Sequence, residues 1–173
     1  GINNVINKSN SQIKKYYNSF AIVNHKLEIL YVYNKINLVP FGEFLPIENI
    51  FTKFGFKKIS FGYNSFSPGE KRILFNLGND FNKKVIFPLI CYEIIYSGKV
   101  KQNSQLPDLL INISEDAWFG QSIGPHQHFV KAIYRAVEEW IFIARSANKG
   151  ISAFINPNGE IKKSLNTRES GSI

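Results

Sequence analysis

The chain has 173 residues, of which 44% are hydrophobic and 20% charged, and its formal net charge is +8. This composition suits one globular domain with a single core and excludes a disordered or fibrous chain. One cysteine excludes an internal disulfide framework, and the free thiol is useful either for its reactivity or for packing. Because the chain begins with glycine and contains no methionine, we expect it to be a segment of a longer protein.

The positive charge is scattered along the chain. Lysines occur in ones and twos at the edges of apolar runs, as at Lys57–Lys58 and Lys83–Lys84, which is typical of solvated faces. We therefore expect no nucleic-acid partner. No apolar run approaches the roughly 18 residues of a membrane-spanning helix, so no span is predicted within these residues.

The first third of the chain predicts a hairpin between two loops. Residues 1–16 are rich in Asn, Lys and Ser and indicate a surface lead-in. Residues 18–24 and 27–35 are rich in β-branched and aromatic side chains, which predicts two strands joined by a tight turn. Two prolines and a glycine in residues 36–46 predict a loop, and residues 47–55 a short helix behind it.

The central segment leads to the cysteine. Residues 56–70 are predicted to be irregular, with a Pro-Gly turn before a strand at residues 72–77. The run "KKVIFPLI", residues 83–90, is apolar without interruption up to Cys91, which favours a strand buried on both faces. Residues 93–100 predict a short helix ended by a glycine.

The last third predicts a strand, a long helix and a second hairpin. Residues 108–114 favour a buried strand, residues 115–125 a loop, and residues 150–161 a strand, a Pro-Asn-Gly turn and the start of a returning strand. Residues 126 to about 144 predict a helix. Its core face is predicted to carry Phe129, Ile133, Val137 and Trp140. Alternating strands and helices predict an α/β fold with its site at the carboxyl edge of the sheet.

Cys91 lies at a predicted strand-to-helix junction, where backbone N–H groups can bind developing negative charge. A thiol needs a base or a cation beside it to react at neutral pH. Three charged residues follow strands, namely Lys35, Glu43 and Glu93, and the N–H of Tyr92 is a second donor. The residues alone leave another interpretation open: a structural cysteine, a solvated lysine and a glutamate that only caps its helix.

Other constellations of residues are weaker. His126 and His128 are two positions apart at a helix start and so lie on different faces, which favours no metal site. The sequence has no G-x-S-x-G elbow, no phosphate-binding glycine loop and no dinucleotide fingerprint. These patterns disfavour a serine hydrolase or a nucleotide-binding protein, and we expect no cofactor.

Four stretches together resemble the nitrilase-like domain of bacterial apolipoprotein N-acyltransferases. They are "YNKINLVPFGEFLP", "CYEIIY", "NISEDAWFGQSIGPHQH" and "ARSANKGISAFINPNGEI", in the order that the family has them. The resemblance runs from about Tyr17 to Ile161. It implies a nitrilase-like α-β-β-α sandwich, of which residues 1–173 form an incomplete portion.

The resemblance also implies a Glu-Lys-Cys triad. Cys91 matches the nucleophile and Lys35 the triad lysine, while Glu43 matches a glutamate that supports the site. Glu93 matches a carboxylate needed by the acyltransferase branch, and the N–H of Tyr92 is expected to join the lysine in the oxyanion hole. In the family the triad's glutamate, the general base, precedes the lysine motif, so we expect it upstream of this chain.

The implied reaction begins when Cys91 attacks the ester carbonyl of a phospholipid acyl chain, giving a thioester and a lysophospholipid. The amino group of a lipoprotein's diacylglyceryl-cysteine then takes the acyl group as an amide. Trp118 resembles part of the lipid pocket. The family's location implies the bacterial inner membrane, with the catalytic domain on the periplasmic face and lysines facing anionic headgroups.

Two alternatives remain open from the sequence. A soluble amidase of the same superfamily would use the same triad on a small amide, and a non-enzymatic remnant would fold or bind without catalysis. The stretches "LVPFGE" and "DAWFG" favour the acyltransferase. Because the base, the end of the domain and the family's membrane helices all lie outside residues 1–173, we expect the isolated segment to be inactive.

Overall fold

The structure is a computed structural model that describes residues 2–7, 14–46, 65–78, 82–100 and 105–173. The chain divides into two compact units, residues 1–72 and residues 73–173. Each unit is built around its own sheet.

The first unit contains an antiparallel sheet of strands β1 (Ile2–Asn7), β2 (Lys14–Val23) and β3 (Ile29–Asn34), in that order. The predicted hairpin is confirmed as β2 and β3, with Phe20 opposite Tyr33. The side chain of Asn24 closes its turn by accepting the N–H groups of residues 26 and 28.

The predicted lead-in at residues 1–16 is wrong where the structure describes it. Residues 2–7 form β1 and pair with residues 14–19 of β2. Asn and Lys have low intrinsic strand preference, so the pairing with β2, a tertiary effect, decides the conformation.

Residues 36–46 form the predicted loop, which contains one isolated bridge between Pro40 and Phe44. Residues 65–70 are irregular, as predicted. The helix predicted at residues 47–55 and most of the irregular segment lie outside the described residues.

The second unit contains a mixed six-stranded sheet. In spatial as well as chain order its strands are β4 (Phe75–Asn76), β5 (Val85–Ile90), β6 (Leu109–Glu115), β7 (Phe142–Asn148), β8 (Ser152–Ile155) and β9 (Ile161–Leu165). Strands β5, β6 and β7 run parallel, and the other neighbours are antiparallel.

Strand β5 is buried at all six positions, which confirms the prediction of a strand covered on both faces. The predicted strand at β6 is confirmed, but its predicted burial is only partly right, since Leu110 and Asn112 are its only fully buried positions. The β8–β9 hairpin is also confirmed. The strand predicted at residues 72–77 is reduced to the two residues of β4. The helix predicted at residues 93–100 is instead a 3-10 turn over Cys91–Ile95.

Helix α1 (Gly124–Glu139) begins with proline near its first position and ends at Trp140, which has a left-handed φ of 54°. The prediction that it continues to residue 144 is wrong because residues 142–144 begin β7. Its predicted core face is partly wrong: Phe129 is buried, but Val137 and Trp140 are 45% and 68% exposed. Ala132 and Ala136 are fully buried instead, since their small side chains pack where larger ones are excluded.

Candidate active site

Cys91 is the first residue of the 3-10 turn that follows β5, and it is partly exposed. Its φ is 51°, in the left-handed region. For a residue with a β-carbon this costs about 1–2 kcal/mol, and such strain persists where the surrounding structure enforces it. The chain therefore turns sharply as it leaves the buried strand, and the cysteine stands at the carboxyl edge of the parallel strands, as predicted.

Glu93 closes the same turn from within. It is only 2% exposed, and its Oε2 accepts the backbone N–H of Ile90 at 2.9 Å. Tyr92, between the two, is 36% exposed, and its ring meets the edge of Tyr96 at 5.7 Å between centroids. The turn thus presents Cys91 and Tyr92 outward while Glu93 anchors it inward.

A buried polar network lies behind the turn. Asn112 on β6 is fully buried and stands between Leu89 of β5 and Arg145 of β7 in the register of the three parallel strands. Its Nδ2 donates to the carbonyl oxygens of Leu89 at 3.2 Å and Cys91 at 3.4 Å. Its Oδ1 accepts from Nη1 of Arg145. Asn112 therefore links the backbone of the cysteine turn to a buried cation.

The side chain of Arg145 is completely buried. Its Nη2 donates to Oδ2 of Asp116 at 2.7 Å, and its Nε donates to the carbonyl of Ile151 at 3.2 Å. Burial lowers the pKa of Arg145, while the charges of Asp116 and Cys91 and the hydrogen bond to Asp116 act to raise it. The guanidinium and the cysteine thus interact electrostatically within this unit.

Asp116 directly follows β6 and is fully buried. Its Oδ1 accepts from Ser114 Oγ at 2.6 Å and faces Nδ1 of His128 at 2.9 Å. Burial alone would raise the pKa of Asp116, but the hydrogen bond from His128, the charge of Arg145 and the Ser114 hydroxyl lower it below its ordinary value. Gly150 leaves room for this carboxylate, since a β-carbon there would lie 2.3 Å from Oδ2.

Asn112, Asp116, Arg145 and His128 were not predicted as site residues. The available signal was weak: single polar residues inside the apolar strands "LLINIS" and "FIARSA", and an aspartate just after a strand end. His126 and His128 do lie on different faces, as predicted, because the first is exposed and the second is buried.

The first unit holds the other two predicted charged residues. Lys35 is 1% exposed, so the interpretation as a solvated lysine is wrong. Its Nζ lies 2.7 Å from Oε2 of Glu43. Glu43 also accepts from Nδ2 of Asn18 at 2.7 Å and from the N–H of Val39 at 2.8 Å. The ammonium is therefore held in place by a carboxylate that is itself fixed by two further donors.

The Pro-Gly turn at residues 68–69 lies against the end of β3, which Lys35 directly follows. The N–H of Gly69 donates to the carbonyl of Lys35 at 2.9 Å. A β-carbon at Gly69 would lie 2.1 Å from the carbonyl oxygen of Asn34, so only glycine fits this approach.

The structure thus joins the predicted residues in two groups, each within its own unit: Lys35 with Glu43, and Cys91 with Tyr92 and Glu93. Trp118 lies in a second 3-10 turn, Asp116–Phe119, and is 55% exposed. That turn follows β6, the parallel neighbour of β5, so both turns stand at the same edge of the sheet.

The described part of the chain contains no cluster of three or more His, Cys, Asp or Glu side chains able to hold a metal ion. Likewise, none of its helices has the length and apolar character needed to cross a membrane.

Comparison with known families identifies the class of protein that this fold and site define. The family model described as carbon-nitrogen hydrolase matches residues 2–173. The chain therefore belongs to the carbon-nitrogen hydrolase family.

Two curated relatives are called apolipoprotein N-acyltransferase. The chain is 40% identical over 159 residues to the one from Rhizobium leguminosarum bv. trifolii, covering 92% of this chain and 29% of the relative. It is 39% identical over 163 residues to the one from Rickettsia prowazekii, covering 94% of this chain and 32% of the relative. The chain thus spans about 30% of the length of these relatives.

Solved structures of the same superfamily share the fold. A nitrilase-superfamily amidase from Nesterenkonia AN1 matches with a TM-score of 0.59 at 18% identity, covering 89% of this chain and 52% of that one. A CN-hydrolase superfamily protein from Xanthomonas campestris, XC1258, matches with a TM-score of 0.62 at 16% identity, covering 94% and 56%. These matches confirm the predicted nitrilase-like α/β fold and are compatible with an incomplete portion of it.

Proposed function

We propose that the chain is the central part of an enzyme that N-acylates lipoproteins through a thioester on Cys91. The observation that carries the chemistry is the conformation of Cys91, a partly exposed residue held at a φ of 51° immediately after a buried strand. The names of the relatives at about 40% identity support the choice of acyl transfer.

In the first step the sulfur of Cys91 attacks the ester carbonyl of a phospholipid acyl chain. The carbon–oxygen bond of the ester breaks, the lysophospholipid leaves with the proton that the thiol has lost, and the acyl group remains on sulfur as a thioester. In this proposal the base that relays the proton is a glutamate outside the 173 residues.

The carbonyl oxygen becomes negatively charged during the attack. We assign its stabilisation to the ammonium of Lys35 and the backbone N–H of Tyr92. Glu43 supports this role because its carboxylate holds the ammonium at 2.7 Å in a buried position. The contact with Glu43 limits the positions that the ammonium can adopt within its own unit.

In the second step the N-terminal amine of a diacylglyceryl-cysteine lipoprotein attacks the thioester. An amide forms, the carbon–sulfur bond breaks, and the thiol of Cys91 is restored with one of the amine's protons. Glu93 supports the chemistry by shaping the turn, since it fixes the N–H of Ile90 just before the nucleophile. Trp118, exposed in the neighbouring turn, is assigned to the contact with lipid.

The proposal places the enzyme in the bacterial inner membrane, with this domain on the periplasmic side. Its partners are a phospholipid donor and an apolipoprotein acceptor, and no cofactor is needed. The isolated 173 residues are proposed to be inactive because the base lies outside them.

A transfer assay with the full-length gene product tests this function. The enzyme receives a phospholipid of defined acyl chain and a synthetic peptide with N-terminal diacylglyceryl-cysteine, and mass spectrometry follows the peptide. We expect the peptide to gain that acyl chain as an amide, and Cys91→Ala to abolish the gain. Release of ammonia from small amides, with no acyl gain on the peptide, would contradict the proposal and identify a soluble-type amidase instead.

A further inference from the structure

We propose that Arg145, acting through Asn112, is a positioning residue for Cys91. The pair locks the strained turn that presents the thiol, and it keeps a buried cation at the back of that turn. This inference rests on the proposed function in one respect, namely that Cys91 is the nucleophile.

The hydrogen bonds fix the orientation of Asn112. A guanidinium has only donors, so the amide oxygen must face Arg145 and the amide nitrogen must face the turn. That nitrogen then donates to the carbonyls of both Leu89 and Cys91. These two groups flank the point where the chain changes from extended to left-handed, so Asn112 opposes relaxation of the cysteine to a negative φ.

The orientation of Arg145 is fixed in turn. It donates to Asp116 and to the carbonyl of Ile151, and Asp116 is held by Ser114 and His128. Within the described residues Nε2 of His128 has no hydrogen-bond partner, so the ring's polar contacts are made by Nδ1. Every member of this network except Ser114 is at least nine-tenths buried or belongs to the backbone, which leaves Arg145 little freedom to move.

The network also places a fully buried arginine side chain behind the turn, in the same unit as Cys91. Glu93 places a buried carboxyl group in the turn itself. Arg135 of α1 contacts the same turn, but its bonds go to the carbonyls of Ile94 and Ile95 at the far end.

Two substitutions at one position separate charge from geometry. Arg145→Met removes the cation and all its hydrogen bonds. Arg145→Lys keeps a cation but cannot reproduce the fork that holds both Asn112 and Asp116. Arg135→Lys is the matched control, because that arginine is also 2% exposed and bonds to two carbonyls but does not contact Asn112.

The first measurement is the rate at which iodoacetamide alkylates Cys91 in the full-length protein at neutral pH, followed by mass spectrometry of the Cys91 peptide. We expect Arg145→Met to slow alkylation about tenfold, because the strain of about 1–2 kcal/mol in the turn is then free to relax. Arg145→Lys should have an intermediate effect, and Arg135→Lys should stay within about twofold of the wild type. A folded Arg145→Met protein that alkylates at the wild-type rate would overturn the inference.

The second measurement is a double-mutant cycle on the rate of thioester formation from phospholipid, using Arg145→Lys, Asn112→Ser and both together. If Arg145 acts through Asn112, the double variant is no slower than the slower single variant. If the double variant instead loses the product of the two single rate reductions, the inference would be overturned. Because the cycle does not use Arg145→Met, it tests the inference even if that variant does not fold. A wild-type protein that forms no thioester would refute the proposed function, while the alkylation rates would still decide the role of Arg145.

Discussion

Replacing Asp116 with asparagine removes one charge from a fully buried ion pair. Asp116 and Arg145 are both fully buried at their side chains, and their atoms Oδ2 and Nη2 lie 2.7 Å apart. Asparagine has nearly the same shape, so the change leaves a guanidinium inside the protein without its countercharge. It also leaves one acceptor oxygen where the carboxylate has two, Oδ2 facing Arg145 and Oδ1 facing Ser114 and His128.

The expected cost follows from that burial. Breaking a buried pair by removing one partner costs about 3–5 kcal/mol, because the remaining charge stays desolvated. Whole domains are stable by only about 5–15 kcal/mol, so the substitution should remove a large part of the stability of the second unit. Asp108→Asn is the matched control: its carboxylate pairs with Lys84 at the surface, where such pairs contribute about 0–1 kcal/mol.

Native-state proteolysis of the full-length protein measures this difference, because cleavage follows the population of the opened unit. We expect cleavage within residues 73–173 to accelerate at least a hundredfold in Asp116→Asn, as about 3 kcal/mol implies. In Asp108→Asn it should change by less than about tenfold. Equal effects of the two substitutions would refute the conclusion that Arg145 depends on Asp116 inside the unit.

Three further predictions follow from the same contacts. Gly150→Ala would place a β-carbon 2.3 Å from Oδ2 of Asp116 and should destabilise the unit by about 1–3 kcal/mol, measured by the same proteolysis, whereas Gly171→Ala, with its nearest neighbour at 3.8 Å, should be neutral. The pKa of Asp116 is lower in the folded protein than in the unfolded chain. Its contribution to stability is therefore complete above the unfolded pKa of about 4 and is lost as the pH falls below that value. The temperature of thermal unfolding between pH 3 and pH 6 should accordingly depend less on pH in Asp116→Asn than in the wild type. Glu43→Gln should slow thioester formation at least tenfold by releasing the buried lysine, while the exposed Glu28→Gln should not, and equal rates in all three proteins would remove Glu43 from the site.

Local sequence signals were sufficient for elements whose conformation is decided by neighbouring residues. Strand β5 is an unbroken apolar run, and it is buried at every position. The hairpins β2–β3 and β8–β9 are marked by turn residues between strand-forming runs. In each case the pattern and the turn lie within about ten residues of one another.

Elements that depend on distant partners were predicted less well. Strand β1, half of whose residues are asparagine, is a strand because β2 pairs with it. Apolar residues 141–144 continue the pattern of α1 in the sequence, but they form the start of β7 because β6 lies alongside. The helical spacing of large apolar side chains predicts a core face for α1 that includes Val137 and Trp140, whereas the small Ala132 and Ala136 are the residues that fit the core.

The candidate site shows the same division. Cys91, Tyr92 and Glu93 are adjacent in sequence, and the end of the strand at Cys91 is predicted correctly, although a 3-10 turn replaces the helix predicted after it. Asn112 and Arg145 are 33 positions apart and become neighbours only through the register of β6 and β7. No local pattern contains that register, so the network behind the cysteine became visible only in the structure.

Mass spectrometry of the Cys91 peptide tests the central claim most directly. The full-length protein is incubated with a phospholipid of one defined acyl chain, without an acceptor, and then digested. We predict that this peptide gains the mass of that acyl chain and that neutral hydroxylamine, which cleaves thioesters, removes it. An unmodified Cys91 peptide, or an acyl adduct that persists in Cys91→Ala, would contradict the account.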